Sequence, residues 1–350
     1  MSTASLDAVA SGAAVRWRPT RMRLAWLTVG AAALLVLALA SVALGTRGVS
    51  FADVVGALTG SDRGDALGRA AVEKRLPRTV LAILVGASLA VAGTAMQAVT
   101  RNPLAEPGIL GVSSGAALAI VIGIATFRLS DPYGFVVVAV IGSALASVLV
   151  YTIGSLGRGG ATPLKLALAG AALTAAFTSL VNAILLPRVD VLSSFRFWQI
   201  GGVGGASWDR LGIAAPFLAA GLLICLLNAR GMNLLALGDD LATGLGAHVA
   251  RTRAVAAAGA VVLCGTATAF AGPIAFVGLV VPHVCRLVVG TDHRWLLPSC
   301  AVGGAVLLVA ADVLGRLVAR PQEVEVGIVT AVIGAPVLIW VVRRQKLREL

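Results

Sequence analysis

Long apolar segments separated by short polar turns recur along almost the whole chain. Of 350 residues, 58% are hydrophobic and only 13% are charged, whereas a soluble domain keeps about a quarter of its residues charged. A helix needs about 20 apolar residues to cross a bilayer. The candidate spans are 24–46, 78–99, 108–127, 133–156, 164–187, 209–228, 254–272, the shorter 273–290, 295–315 and 324–342. The sequence therefore predicts an all-α integral membrane protein with about ten transmembrane helices in a compact bundle.

Basic residues at the two tails orient this bundle. The N-terminal tail, 1–23, and the C-terminal tail, 343–350, are both rich in arginine, and cytoplasmic segments carry an excess of Lys and Arg. The apolar run 24–46 exceeds the roughly 7–15 residues of a signal-peptide core. We expect a retained first span, both termini in the cytoplasm and a location in the plasma membrane of a bacterium. The net charge of +12 flanks apolar runs, which argues against a nucleic-acid partner.

The predicted external segment, 47–74, contains an amphipathic helix. Ser50 followed by Asp53 is a capping-box pattern, and apolar residues recur at helical spacing at Phe51, Val54, Val55 and Leu58. We expect this helix to lie on the outer membrane surface. A packing lid for the bundle is the favoured role over a ligand site.

Two segments rich in proline and glycine interrupt the apolar pattern. "NPLAEPG", 102–108, falls on the predicted inner side, and "AGPIAFVG", 271–278, falls on the outer side. Non-helical backbone near a membrane persists only where it is buried in protein or faces water. Matching breaks on opposite sides are also typical of an inverted-topology repeat. An inner aperture and an ordinary tight turn are both compatible with the first break.

A second cytoplasmic segment, 237–253, predicts a short helix pair. Asp239 and Asp240 suit the first turn of a helix, Leu241 and Leu245 share one face, and glycines end the helix. From these residues alone, a surface loop and a docking element are equally compatible.

Motifs for chemistry are scarce. A phosphate-binding P-loop needs Gly-Lys-Ser/Thr, and none of the three lysines follows a glycine. The sequence has no H-E-x-x-H or G-x-S-x-G motif, and its four cysteines are scattered as buried thiols would be. Asp312 and Arg316 have the i, i+4 spacing of a self-neutralising pair. The sequence predicts no catalytic site, no resident metal and no cofactor.

Three long blocks resemble a known family. They are "RLPRTVLAILVGASLAVAGTAMQAVTRNPLAEPGILGVSSGAALAI" (75–120), "AGPIAFVGLVVPHVCRLVVGTDHRWLLP" (271–298) and "ADVLGRLVARPQEVEVGIVTAVIGAPVLIWVV" (311–342). They are similar, in order, to the signature blocks of the FecCD/BtuC-type ABC-importer permeases, which take up iron-siderophores, haem and cobalamin. One departure is Glu325, where the family commonly has proline.

The resemblance implies a permease domain over 24–342 that moves a metal chelate, with a ferric siderophore as the favoured cargo, by alternating access. It implies two ATP-binding subunits inside, an extracytoplasmic substrate-binding protein, and a second permease copy, identical or paralogous. ATP would be hydrolysed by the partner chains.

The resemblance also assigns residues to three sites. The cytoplasmic gate would include Asn102, Pro103, Leu104, Thr162 and Pro163. The coupling loop, 229–253, would contact an ATPase through Asp239, Asp240, Leu241, Leu245, Gly246 and His248. The binding protein would dock on Arg75, Arg78 and Arg316.

Three other functions are also compatible with the sequence. An ion-driven secondary transporter would fit an inverted repeat, although acids are scarce within the predicted spans. A membrane receptor or scaffold would bind a ligand without moving it, and a membrane enzyme is less favoured still.

Overall fold

The computed structural model describes residues 19–46, 48–61, 64–156, 162–188 and 199–346, together with 192 and 195. Its helices in chain order are α1 Thr20–Ala43, α2 Phe51–Thr59, α3 Ala66–Thr100, α4 Val112–Phe127, α5 Pro132–Ser155, α6 Pro163–Leu185, α7 Trp208–Leu227, α8 Ala229–Leu235, α9 Asp239–Gly244, α10 Val249–Ala271, α11 Val277–Val289, α12 His293–Val318 and α13 Val326–Lys346. A 3₁₀ turn, Pro107–Leu110, precedes α4. The described residues contain no β-strand.

Ten of these helices are apolar enough to lie in a membrane. Seven of them (α1, α3, α5, α6, α7, α10 and α12) are long enough to cross it, and α4, α11 and α13 carry shorter apolar stretches. This arrangement confirms the prediction of an all-α membrane protein with about ten spans. At 1.5 Å per residue, the 13 residues of α11 reach only about 20 Å, less than the bilayer core of about 30 Å.

The long helix α3 is the centre of the bundle. Of the residues in its most apolar stretch, 78% are buried. Helices α10 and α12 pack against it, and 61% of the residues in the most apolar stretch of each are buried. Glycines allow these backbones to touch, because a Cβ added at Gly86 of α3 would lie 2.3 Å from the Gly304 carbonyl oxygen of α12. Such close contact between small residues is how helices associate in lipid, where dispersion contacts replace the hydrophobic effect.

The segment that follows α1 differs in part from the prediction. The capping box is confirmed, since the Asp53 backbone N–H donates to Ser50 Oγ at 3.2 Å and the Ser50 N–H donates to the Asp53 carboxylate at 2.7 Å. The backbone of Ser50 above all holds the pKa of Asp53 below its ordinary value. However, α3 begins at Ala66, so residues 66–74 extend the second span and do not belong to a separate surface segment.

Asp53 also determines how α2 meets α3. The backbone N–H of Asp65, which precedes α3, donates to the second Asp53 carboxylate oxygen at 2.6 Å. Phe51 remains 84% exposed, as expected for a side chain that rests on a membrane surface. The Leu58 side chain lies outside the described residues. The helix therefore attaches to the bundle through Asp53 and directs Phe51 outward.

The third span begins later than predicted. Pro107 starts a 3₁₀ turn rather than the span helix, and Gly111, with φ of +72°, separates that turn from α4. Glycine adopts this left-handed conformation without steric cost. The helix consequently starts at Val112, four residues after the predicted start at position 108.

Candidate functional site

The two proline- and glycine-rich breaks lie against each other inside the bundle. The Glu106 carboxylate accepts a hydrogen bond from the Phe276 backbone N–H at 2.8 Å. Gly93 of α3 and Gly278 of α11 are also in backbone contact, because a Cβ at Gly93 would lie 2.0 Å from the Gly278 carbonyl oxygen. The sequence predicted breaks at opposite membrane faces. The contact corrects that expectation, because the chain before α11 runs into the bundle and meets the first break there.

A cavity of about 170 Å³ lies at this junction. Glu106, Pro107 and Gly108 line it from the first break, and Pro273, Ile274 and Ala275 line it from the second. Ser113 and Cys264 contribute polar atoms to the same space. Glu106 was not among the predicted site residues. Its signal in the sequence is a carboxylate inside the proline- and glycine-rich turn "NPLAEPG", but only the fold shows its partner.

Three of the predicted gate residues, Asn102, Pro103 and Leu104, occupy the turn between α3 and the junction, and the other two lie at the start of α6. Asn102 Oδ1 accepts a hydrogen bond from the Leu104 N–H at 2.9 Å, which stabilises the turn as Asn side chains commonly do. Pro103 is exposed and Leu104 is half-buried. Thr162 caps α6, since its hydroxyl accepts from the Lys165 N–H at 3.3 Å, and Pro163 begins the helix. Ala161 lies outside the described residues.

Glu106→Ala is expected to weaken this junction and transport together. Leaving the Phe276 N–H without its acceptor costs about 1–3 kcal/mol, so the free energy of unfolding should fall by about that amount, with a parallel loss of uptake. Glu106→Gln keeps an acceptor oxygen and should retain most of both. Chemical unfolding in detergent and uptake by reconstituted vesicles provide the measurement. Equal behaviour of the alanine and glutamine variants would contradict a role for the carboxylate contact.

The short helix α9 presents an apolar surface at the end of the bundle where α3 and α7 end. Leu241 and Leu245 are each 64% exposed, and Leu237 is 51% exposed. Asp240, Gly246 and His248 are exposed beside them. Leu241 lies in α9 and Leu245 caps its end, so both exposed side chains lie at this short helix. Exposed leucines close together are typical of a surface that a partner covers.

Asp239 has a different position from its neighbour Asp240. Its carboxylate accepts from Arg253 of α10 at 2.9 Å, and Arg101, at the end of α3, lies 3.6 Å away. Asp239 therefore connects α9 with α10 and with Arg101, the residue that precedes the gate residue Asn102. The sequence did not indicate these partners.

At the end of the bundle where α1 and α12 end, a buried ionic cluster surrounds Asp312. Arg316 pairs with Asp312 at 2.8 Å, as the i, i+4 spacing predicted, and both side chains are 2% exposed. Arg316 also donates to the Ser41 and Leu44 carbonyl oxygens at 2.9 and 3.0 Å. The cluster thereby joins α12 to the end of α1.

The other two predicted docking arginines differ in exposure. Arg75 is 7% exposed and donates to the carbonyl oxygens of Val42 and Ala43 at 3.0 Å each. Arg78 donates to Asp312 through Nε and Nη2, at 3.0 and 2.8 Å, and to Glu323 through Nη1 at 2.6 Å. The buried Arg75 and Arg316 therefore stabilise the fold. Arg78 is the most exposed of the three arginines.

Glu325, the departure from the family pattern, lies beside this cluster. A Cβ added at Gly202 would lie 1.9 Å from a carboxylate oxygen of Glu325. The Glu325 carboxylate therefore packs directly against the Gly202 backbone. Burial raises the pKa of Glu325, and the nearby Arg78 opposes that rise. The residue adds negative charge beside Arg78.

Two sets of uncharged polar residues in the spans differ in burial. One set is buried between helices, at Ser88, Thr94, Gln97, Ser143, Thr266 and Thr268. The other is exposed on α6, at Thr178, Ser179 and Asn182. Only 22% of the residues in the most apolar stretch of α6 are buried. Polar groups at membrane depth are costly in lipid, so this face of α6 fits a water-filled pathway or a second subunit.

These features define a multi-pass membrane protein: an apolar helix bundle with a non-helical junction in its interior, a polar exposed helix face and an exposed apolar surface at one end. The model of the FecCD transport family matches residues 33–344. The chain belongs to the FecCD transport family, and it is a membrane permease.

Individual relatives agree with this assignment. The "Probable siderophore transport system permease protein YfiZ" of Bacillus subtilis (strain 168) is 45% identical over 311 residues, which is 89% of this chain and 93% of that protein. The "Ferric enterobactin transport system permease protein FepD" of Escherichia coli (strain K12) is 46% identical over 275 residues, covering 78% and 82%.

A solved structure also resembles the fold. It is described as "An inward-facing conformation of a putative metal-chelate type ABC transporter". The TM-score is 0.78 at 28% sequence identity, over 92% of this chain and 99% of that one.

Proposed function

We propose that this chain is the permease subunit of an ATP-driven importer that moves a ferric siderophore across the plasma membrane by alternating access. The observation that carries the proposal is family membership over 33–344, with relatives whose names specify siderophore and enterobactin transport. The interior junction of Glu106 and Phe276 supplies the structural element that such a mechanism needs.

The polar face of α6 is the proposed wall of the pathway. Thr178 and Ser179 donate to backbone carbonyl oxygens within α6, at 2.7 and 2.9 Å, so their hydroxyls remain satisfied when cargo is absent. Asn182 lies on the same exposed side. A second copy of the permease, identical or paralogous, would complete the pathway. At the inner end, Asn102, Pro103, Leu104, Thr162 and Pro163 form the proposed gate.

The partner surfaces lie at opposite ends of this domain, which we assign to 24–342. Inside, one of two ATP-binding subunits would contact Leu241, Leu245, Gly246 and His248 in the coupling loop 229–253. Asp240 would face that subunit, while Asp239 transmits movement to Arg101. Outside, an extracytoplasmic substrate-binding protein would dock near Arg78, and both tails, 1–23 and 343–350, would lie in the cytoplasm.

The ion-driven alternative has one point in its favour. Glu106 is a carboxylate inside the bundle, which the sequence analysis did not expect. Its contact is a backbone N–H at a helix start, however, and proton relays use chains of ionisable groups. The observation therefore supports a structural junction more than an ion pathway.

A pull-down of the tagged permease from its native membrane in mild detergent tests the proposed function. We expect an ATPase subunit in roughly equal amount and an extracytoplasmic binding protein, both identified by mass spectrometry. Uptake should stop when the ATPase is inactivated and should persist when an uncoupler removes the ion gradient while ATP is maintained. Repeated isolation of a folded permease without an ATPase would contradict the proposal.

Arg78→Gln is expected to weaken docking of the binding protein by about two- to fivefold, since a partly exposed ion pair contributes up to about 1 kcal/mol. Because Arg78 also pairs with the buried Asp312, the unfolding curve of the variant is recorded beside its binding. The matched control is Lys74→Gln, which removes a positive charge from an exposed position on the same helix. Binding to the permease complex in nanodiscs measures the effect. Equal loss in both variants would indicate general electrostatics instead of a contact at Arg78. Arg75→Glu should act differently, by destabilising the fold.

A further inference from the structure

Arg78 has its donor groups divided between the interior and the surface. Nε and Nη2 point inward to Asp312, whose side chain is 2% exposed. Nη1 points to Glu323, at 2.6 Å, and the Glu323 side chain is 36% exposed, compared with 13% for Arg78. The outward edge of Arg78 is therefore covered by a carboxylate of the same chain.

The loop around Gly204 lies beside this edge, and Glu325 is a second carboxylate near Arg78. A Cβ added at Gly204 would lie 3.7 Å from Arg78 Nη1, and Gly202 and Gly205 belong to the same loop. A carboxylate from outside could reach Nη1 through this space if Glu323 moved away. Glu323 lies in the segment between α12 and α13, so its movement does not require a span to shift.

We propose that Glu323 is an internal competitor for Arg78, and that a partner carboxylate must displace it when the binding protein docks. This inference rests on the proposed function, because it concerns regulation of the same docking surface. In the free permease, Glu323 neutralises a cation at the membrane surface. In the docked complex, a carboxylate of the binding protein takes its place.

An exchange of carboxylates limits the strength of docking. One ion pair breaks as another forms, so the net gain is smaller than for a bare arginine. Partly exposed ion pairs contribute up to about 1 kcal/mol, which corresponds to about fivefold in affinity. Because salt screens both pairs, the exchange also reduces the dependence of docking on ionic strength.

The test compares Glu323→Gln with Glu73→Gln. Glu73 is an exposed acid on α3, the helix that carries Arg78, so its replacement removes the same charge from the same end of the bundle. With the binding protein recovered in the pull-down, we expect E323Q to bind about two- to fivefold more tightly and to show steeper salt dependence. E73Q should stay near the wild type. Unchanged or weaker binding of E323Q, or equal tightening by E73Q, would overturn the proposal.

A second measurement needs no partner. Phenylglyoxal modifies accessible arginine side chains, and peptide mass spectrometry reports its rate at Arg78. We expect faster modification of Arg78 in E323Q than in the wild type or E73Q, with an unchanged thermal unfolding curve. Equal rates in all three proteins would show that Glu323 does not cover Arg78.

The outcomes separate the two proposals. If no binding protein binds the wild-type complex, the proposed function fails, and the competitor role in docking fails with it. If R78Q weakens docking but E323Q does not tighten it, docking at Arg78 stands and the competitor role is wrong. If tightening by E323Q persists in the R78Q/E323Q double variant, Glu323 acts elsewhere and the proposal is also wrong.

Discussion

Replacing Asp312 with alanine is expected to lower the free energy of unfolding by about 3–5 kcal/mol, the effect of breaking a buried ion pair by removing one partner. Asp312 is the carboxylate that two arginines share, through Arg316 at 2.8 Å and Arg78 at 2.8 Å. Without it, the 2% exposed Arg316 keeps only Ser41 and backbone carbonyl oxygens as partners. Unfolding of the purified protein in detergent measures the loss.

Two companion variants make this prediction specific. Asp312→Asn keeps an acceptor oxygen and should lose less stability than alanine. Asp312→Leu combined with Arg316→Met removes both charges and should recover part of the loss, since apolar replacements of buried pairs are often tolerated. Glu73→Ala serves as the exposed control. A D312A protein as stable as the wild type would show that the cluster does not support the joint of α1, α3 and α12.

Leu241→Asp combined with Leu245→Asp is expected to abolish ATP-driven uptake while the permease still folds and inserts. Full burial of each leucine contributes about 1.5–3 kcal/mol, so losing both should weaken ATPase binding by about 10² to 10⁴-fold. Both side chains are 64% exposed in the isolated chain, so the fold itself should not suffer. Co-purification of the ATPase and its stimulated hydrolysis are the measurements.

Thr243→Asp is the matched control for this double variant. It adds a carboxylate to α9 at another exposed position, where it does not replace the leucines. We expect normal co-purification and uptake from T243D. Retention of the ATPase by the double aspartate variant would show that the leucine face is not the coupling surface.

Much of the fold follows from local patterns in the sequence. The lengths of the apolar runs predicted ten spans, and most boundaries agree within a few residues. The capping box at Ser50 and the pair of Asp312 with Arg316 were also predictable, because each depends on residues three or four positions apart in one helix. The break at "NPLAEPG" was recognised from its prolines and glycines, although its partner was not.

Other features depend on contacts between distant parts of the chain. Glu106 meets Phe276 across 170 positions, and Arg78 meets Asp312 across 234. Arg75 and Arg316 were predicted to face a partner, yet the fold buries both against the end of α1. Exposure of the polar side of α6 likewise depends on which neighbours cover it.

The sequence by itself determined the class of protein, the approximate number of spans and most of the helix ends, because length, composition and capping act locally. The tertiary structure alone decided which faces are buried and which charges meet. The physical reason is the solvent: in lipid, outward and inward helix faces are both apolar, so hydrophobic periodicity does not identify the packed side. Close contacts such as Gly86 with Gly304 then determine which helices pack together. That packing sets the positions of Glu106 and Arg78.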